Sequence, residues 1–330
     1  MTDTTTVRLE RTTDATAWDA LVDARTPEPA FHRWSWLDLQ SRINGFVIER
    51  LVALRGDEPI GVVPVARKSA RSFEGADAPF PYLGPLVATE HLAATVAALR
   101  RWQRQNRLLT THFEFGPQAQ DATLAALGAT GTEAHHDSTV IMDLSHGSLE
   151  QLRAGYSSLR RRDIRRAVRD GSSVREALPG EITTLLPQVL GEAFEAHGKP
   201  SPYHESVGAQ VEAWAAGRDD VGLFTALVND EPAGVQVVIG GGDFAMAWAG
   251  ACLRKYRDAN PNVLLYDRLL EWSVEKGYST VDLCGRVDEG VLRYKLAFGG
   301  AVQPYTVARS TLIPQPLLSA AARARRLVKR

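Results

Sequence analysis

Cysteine is scarce: Cys252 and Cys284 are the only two in 330 residues. They are far apart and form no CxxC pair, so neither a disulfide framework nor a thiolate zinc site is implied, and a reducing cytoplasm fits. The chain also lacks a charge excess. Its net charge is −1, so any attraction to a polyanion must come from a local patch. No apolar run approaches the roughly 18 residues a membrane span needs. The eight histidines show no HExxH or other ligand spacing, so no metal is expected, and no cofactor is called for. The segment from Met1 to Thr6 has neither a basic n-region nor an apolar h-region, so no signal peptide is expected. What remains is 44% hydrophobic and 23% charged, an ordinary globular composition long enough for two domains.

What is present is a repeat. Residues 53–65 read ALRGDEPIGVVPV and residues 226–238 read ALVNDEPAGVQVV, with eight of thirteen positions identical at an offset of 173. Each segment reads as strand, turn, strand, with the turn at an Asp-Glu-Pro cluster. A strand-like run follows each hairpin, at 81–88 and 244–253. Next comes a helical stretch with a tryptophan: 91–105 with Trp102, then 262–276 with Trp272, stopped by Gly277. A strand ending in glycine closes each unit, at 111–116 and 280–285. The order hairpin, strand, helix, strand thus occurs twice. It predicts an α+β fold made of two duplicated halves with mixed, mostly antiparallel sheets flanked by helices. The expected boundaries are 1–145, 146–312, and a basic C-terminal helix over 313–330, after the break at Pro314 and Pro316.

This order is that of the GNAT acyltransferase fold, whose cleft opens where its fourth and fifth strands splay. Three segments of the second half resemble the Fem branch of that superfamily. They are the basic stretch 157–171, SSLRRRDIRRAVRDG; the run from Asn262 through Trp272 to Asp282-Leu283-Cys284-Gly285; and Tyr294-Lys295-Leu296-Ala297-Phe298-Gly299-Gly300. Phe31 to Trp36 resembles the family's entry segment. The resemblance implies an N-acyltransferase that moves an aminoacyl group from aminoacyl-tRNA to an amine on a small-molecule or peptide acceptor. That acceptor would be a cell-wall precursor or a specialised metabolite such as an antibiotic. Two positions depart from the branch that uses nucleotide-linked cell-wall precursors. Asp38 stands where a phosphate-binding lysine is found, and Lys199 follows His197-Gly198 without the arginine expected there. A carboxylate at Asp38 would repel a diphosphate.

Aminolysis of an ester passes through an oxyanion and needs a donor aimed at it. Lys295 is the candidate for that donor; its alternative is a solvated lysine at a strand edge. Asp282 is the candidate general base, with a structural hydrogen-bonding role as its alternative, and the loop pair Asp288 and Glu289 reads as turn chemistry. Trp36, Asp38, Trp248, Tyr294 and Phe298 are candidate substrate-binding residues. Between Arg153 and Arg175 lie eight arginines and two aspartates. Arg162, Arg166 and Arg169 share a helical stripe with Arg165 beside them, suited to phosphate contacts on tRNA; a small phosphorylated ligand and a solvated face are the alternatives. The basic tail could touch tRNA or an anionic membrane. Acyl-CoA is the rival donor. Its pyrophosphate loop would correspond to 254–259, RKYRDA, where Arg257 takes the place of a glycine. A non-catalytic binding module is the reading from a different class.

Overall fold

The computed structural model describes residues 6–25, 30–70, 73–77, 81–117, 120–130, 132–145, 148–285 and 289–312. The predicted basic tail over 313–330 and Asp288 lie outside the described residues. The chain makes two passes through one order of elements. The first runs β1 (Val7–Arg11), α1 (Ala15–Asp23), α2 (Trp34–Asn44), β2 (Val47–Arg55), β3 (Glu58–Ala70), β4 (Phe73–Asp77), β5 (Leu86–Val87), α3 (Thr89–Gln105), β6 (Thr110–Phe115), α4 (Gln120–Gly128) and β7 (Glu133–Asp143). A helical pair, α5 (Leu149–Ala154) and α6 (Ser158–Arg169), leads into the second. This continues with β8 (Ser172–Glu176), α7 (Glu181–Ala196), α8 (Val207–Ala215), β9 (Val221–Val228), β10 (Glu231–Gly241) and β11 (Phe244–Cys252). It ends with α9 (Asn262–Glu275), β12 (Thr280–Gly285), α10 (Glu289–Leu296) and β13 (Ala301–Thr311).

The repeat holds at the level of register. In the first hairpin Ala53 faces Gly61, and the pairing then shifts so that Leu54 faces Pro59. In the second, Ala226 faces Gly234 and Leu227 faces Pro232, with the same shift. Both bulges fall at the 173-residue offset. The bulge glycines have one job, which is to let the next strand approach. A Cβ on Gly61 would sit 2.1 Å from the Leu86 carbonyl oxygen, and one on Gly234 would sit 2.6 Å from that of Ala251. The helices begin at the same offset, but α3 has 17 residues and α9 has 14.

Three expectations are corrected. The run 81–88 is not a full strand: only Leu86 and Val87 pair with β3, because Pro81 and Pro85 cannot donate to a ladder. Glu289 does not lie in a loop but opens α10. Lys295 is not a solvated side chain at a strand edge; it lies on α10 and is 4% exposed.

The sheets do not divide as the passes do. One sheet has the order β1-β2-β3-β4, with β5 on β3. The other has eight strands in the order β6-β13-β7-β12-β11-β10-β9-β8. Here the last strand of each pass sits beside the penultimate strand of the other: β7 pairs with β12, and β13 with β6. The two exchanged strands also pair with each other from Ala301–Ile141 to Arg309–Glu133. One core joins the passes, bringing Trp36, Leu37 and Leu39 of α2 together with Leu186 and Val189 of α7 and Trp248 of β11. Each such side chain contributes about 1.5–3 kcal/mol by burial.

Gly61→Ala and Gly234→Ala should each cost about 2–3 kcal/mol in denaturant unfolding, because the added Cβ meets backbone rather than a side chain that can move aside. A loss under about 0.5 kcal/mol for both would show that the bulges are not held by the neighbouring strand.

Candidate active site

β11 and β12 run parallel for three pairs only, ending at Met246–Asp282. Beyond that point they splay, and each strand carries an irregularity at the mouth of the wedge. On β11 the pairing passes from Ala247 to Ala249 opposite consecutive residues of β10, so Trp248 is an extra residue without a partner in the ladder. On β12 Asp282 faces Ile141 and Gly285 faces Thr139, so one residue too many spans that interval. Cys284 absorbs it with a φ of 68°, a left-handed conformation that costs a non-glycine residue energy.

The side chain of Asp282 holds this turn. It is 0% exposed. Its Oδ1 accepts from the Cys284 backbone N–H at 2.6 Å and from the Thr139 hydroxyl, and its Oδ2 accepts from the Tyr82 hydroxyl at 2.5 Å. Tyr82 and Thr139 both come from the first pass. Tyr82 itself sits at a φ of 50°, so two strained residues converge on one carboxylate. Burial raises the pKa of Asp282 against the pull of these hydrogen bonds.

With the Cys284 N–H turned inward, its carbonyl accepts from Lys295 Nζ at 3.0 Å. Burial depresses the Lys295 pKa below its ordinary value, the nearby Cys284 and Asp282 opposing the shift. The Cys284 thiol crosses the wedge to the Ala247 carbonyl oxygen at 2.7 Å. Burial pushes that thiol well above its usual range, so it is not an available thiolate. Among the described residues the wedge thus holds one cation, a network of neutral donors, and Trp248, whose Nε1 is buried without a hydrogen-bond partner.

The other candidate residues are distributed as follows. Trp36 is 1% exposed and meets Trp248 edge-on at 5.3 Å and Trp214 at 5.5 Å. Tyr203, a few residues beyond His197-Gly198, packs on Trp248 at 6.0 Å, while Lys199 is exposed. Phe298 is fully buried against Tyr156 and Tyr266. Asp38 does not present a bare carboxylate, which corrects the expected repulsion of phosphate: Arg50 pairs with it at 2.5 Å and lies 3.9 Å over the Trp34 ring. Arg162, Arg165, Arg166 and Arg169 are exposed on α6, with Arg166 and Arg169 both reaching Asp170.

Sequence reasoning missed three residues. Arg160, counted among the solvated arginines, is 3% exposed; it lies 4.0 Å over the Tyr294 ring and donates to the Tyr294 carbonyl at 3.0 Å. It thereby ties the start of α6 to α10. Tyr82 and Thr139 carry no local signal, because their role depends on strands from the two passes meeting.

Residues 158–296 match the family model for the acetyltransferase (GNAT) domain. The crystal structure of FemX superposes with a TM-score of 0.70 at 14% identity, covering 95% of this chain and 99% of that one. The fold is a FemX-like tandem GNAT fold. A tandem GNAT protein from the clavulanic acid biosynthesis pathway is also similar, with a TM-score of 0.62, 17% identity, and coverage of 94% and 99%. So is L-PGS from Bacillus licheniformis, with a TM-score of 0.60, 12% identity, and coverage of 92% and 94%. No curated protein sequence matches this chain. Within the FemX-like fold the second pass contains the segment that matches the GNAT family model, and its wedge is where β11 and β12 part. Among the described residues no helix is long and apolar enough to cross a membrane, and no group of His, Cys, Asp and Glu could hold a metal ion.

Beside Tyr82, His32 is buried and bonded through Nε2 to the Gly84 carbonyl at 2.9 Å. Burial lowers its pKa to about 4. The folded state therefore resists protonation that the unfolded chain accepts near pH 6.5, and stability falls as pH drops from about 6.5 towards 4. The full loss is about 3 kcal/mol. His32→Gln, which keeps a donor there, should flatten this acid limb in urea titrations across that range. An unchanged limb would assign it to other groups.

Proposed function

We propose that the protein is an N-acyltransferase that moves an aminoacyl group from aminoacyl-tRNA to the amine of a small-molecule or peptide acceptor. The observation that carries the donor choice is the segment between β11 and α9. In a CoA-dependent site this segment offers free backbone amides to a pyrophosphate. Here Arg254–Ala259 coils into a 3-10 helix, the Arg254 N–H is donated to the Glu192 carboxylate at 2.7 Å, and the Arg254 guanidinium reaches the Glu192 carbonyl at 2.7 Å. A carboxylate already occupies the first amide a phosphate would use. The exposed arginines of α6 offer a phosphate-binding face instead. The similarity of the fold to FemX accords with the Fem resemblance on which this reading rests. The rival is a CoA donor, favoured by the tandem GNAT protein, whose structure is described as lacking AcCoA.

In the proposed reaction the neutral amine attacks the ester carbonyl. A C–N bond forms, the carbonyl becomes an oxyanion, and the C–O bond to the ribose then breaks. The departing ribose oxygen takes a proton from the Lys295 ammonium, which is restored by the proton that the amine releases. Lys295 serves twice. As an ammonium it stabilises the oxyanion in a site of low dielectric. Its depressed pKa makes it a stronger acid, suited to protonating the leaving oxygen. Asp282 acts by position: its oxygens are committed to three donors, and through the Cys284 turn it sets the carbonyl that aims Lys295. Trp248 Nε1 supplies a hydrogen bond to bound substrate. The pairing of Asp38 with Arg50 leaves that position without the free cation a diphosphate needs, which favours an acceptor that is not nucleotide-linked.

The donor is tested by incubating the protein with charged total tRNA or with acyl-CoA and asking which loses its acyl group. Loss from tRNA is expected; turnover of CoA with tRNA untouched would replace this reading by its rival. Lys295→Met should lower turnover by about 10²-fold or more with donor affinity little changed. Its stability should move by no more than about 1–2 kcal/mol, since losing the bond to the Cys284 carbonyl is offset by removing a buried charge. Unchanged kinetics would remove Lys295 from the site.

A further inference from the structure

The two passes place a long helix at the same point, and the two helices treat charge in opposite ways. On α9, Arg268 is paired with Glu271 at 3.3 Å and Glu275 at 3.0 Å, while Asp267 is paired with Arg153 at 2.6 Å. On α3 the second half of the helix carries Arg100, Arg101 and Arg104, and none of the three forms an ion pair among the described residues. They line a broad depression of about 480 Å³ together with Ala93 and Ala97 of α3 and with Ala129 and Thr130 after α4. Backbone carbonyls rather than carboxylates hold two of the guanidiniums. Arg100 Nη1 donates to Thr130 at 2.5 Å, and Arg101 Nη2 donates to Val7 at 2.9 Å. Arg100 Nε is buried without a partner. A carbonyl anchor fixes a guanidinium in place without cancelling its charge, so the cations are pre-organised and un-neutralised. The acids of α3 and α4, Glu90 and Asp121, sit in the first turns of those helices. Glu90 is about 15 Å along the axis from Arg100.

We infer that this α3 groove binds a phosphodiester strand of RNA, a second contact for the tRNA donor; the inference rests on the tRNA reading given above. Guanidinium groups match phosphate oxygens through paired N–H donors. The α3 helix C-terminus favours cations near it, but that preference explains neither their clustering around a depression nor the carboxylates at the matching place on α9. A lipid surface fits less well. The lining is concave, and the large apolar side chains that protrude elsewhere, Val47, Leu159, Val168, Leu178 and Val302, are all off α3, so nothing here would insert into a bilayer.

The test is anisotropy binding of fluorescein-labelled, uncharged total tRNA to the full chain across a salt series. R100Q/R101Q/R104Q should bind at least about tenfold more weakly near 0.1 M salt, with the log–log salt slope reduced by about 2–3, since each lost phosphate contact removes about 0.7–0.9. The Arg104 side chain is exposed and makes no hydrogen bond among the described residues, so R104E alone should weaken binding without touching the fold. Wild-type affinity and slope in both variants would overturn the inference. If the wild type still deacylates charged tRNA in that case, the donor reading survives and only the groove is lost. A wild type that neither binds nor deacylates tRNA overturns both. Binding to phosphatidylglycerol vesicles that is lost in the variants, with tRNA binding intact, would assign the groove to lipid and overturn the RNA inference.

Discussion

The exchange of β7 and β13 is the constraint from which the rest follows. Because β12 has β7 as its antiparallel neighbour, the carboxylate of Asp282 meets Thr139 and Tyr82, 143 and 200 residues away along the chain. Neither pass could bury Asp282 alone. A buried carboxylate short of donors costs several kcal/mol or takes up a proton. The second pass is therefore completed electrostatically by the first. The bulge that carries Cys284, and so the carbonyl facing Lys295, is stable only in the assembled pair.

The same exchange explains what could be read in advance. The hairpin repeat was legible because turn chemistry and strand alternation are local, and its register recurs down to the bulge glycines Gly61 and Gly234. Lys295 was legible as a residue, from the pattern around Phe298, but its burial was not. Which face of α10 turns inward depends on β12 and on Arg160, which lies across Tyr294 and Phe298. Arg160 itself was hidden by its neighbours, since a count of charges cannot tell the one buried arginine from those around it. The partner of Asp38 was likewise out of reach, because Arg50 lies on another element. Strand order across the two passes leaves no mark in composition or periodicity.

Energetically the site is a balance of strain and satisfaction. Cys284 and Tyr82 occupy backbone conformations that cost roughly 1–3 kcal/mol each. The three hydrogen bonds to Asp282 repay that locally, and the shared core of Trp36, Leu186 and Trp248 holds the passes together around it. Such a site is rigid where Lys295, the proposed oxyanion donor, must be fixed. What it leaves unfilled is specific: the indole N–H of Trp248, buried and, among the described residues, without a partner at the wedge.

Duplication also accounts for why, among the described residues, only one wedge carries the cation. The first pass has a corresponding opening near Gly84 and Glu114, a cavity of about 70 Å³ lined in part by Phe31, His32 and Tyr82. That is far below the roughly 300–1,000 Å³ of ligand pockets. The element in the place of α10 is α4, whose sequence QDATLAALG contains no lysine or arginine. With β5 reduced to two residues, the opposite edge is short as well. What the first pass contributes instead is Tyr82 and Thr139, two hydroxyls delivered into its partner's wedge. Copies that began with one backbone plan have divided the work, one keeping the cation and the other holding the carboxylate that positions it.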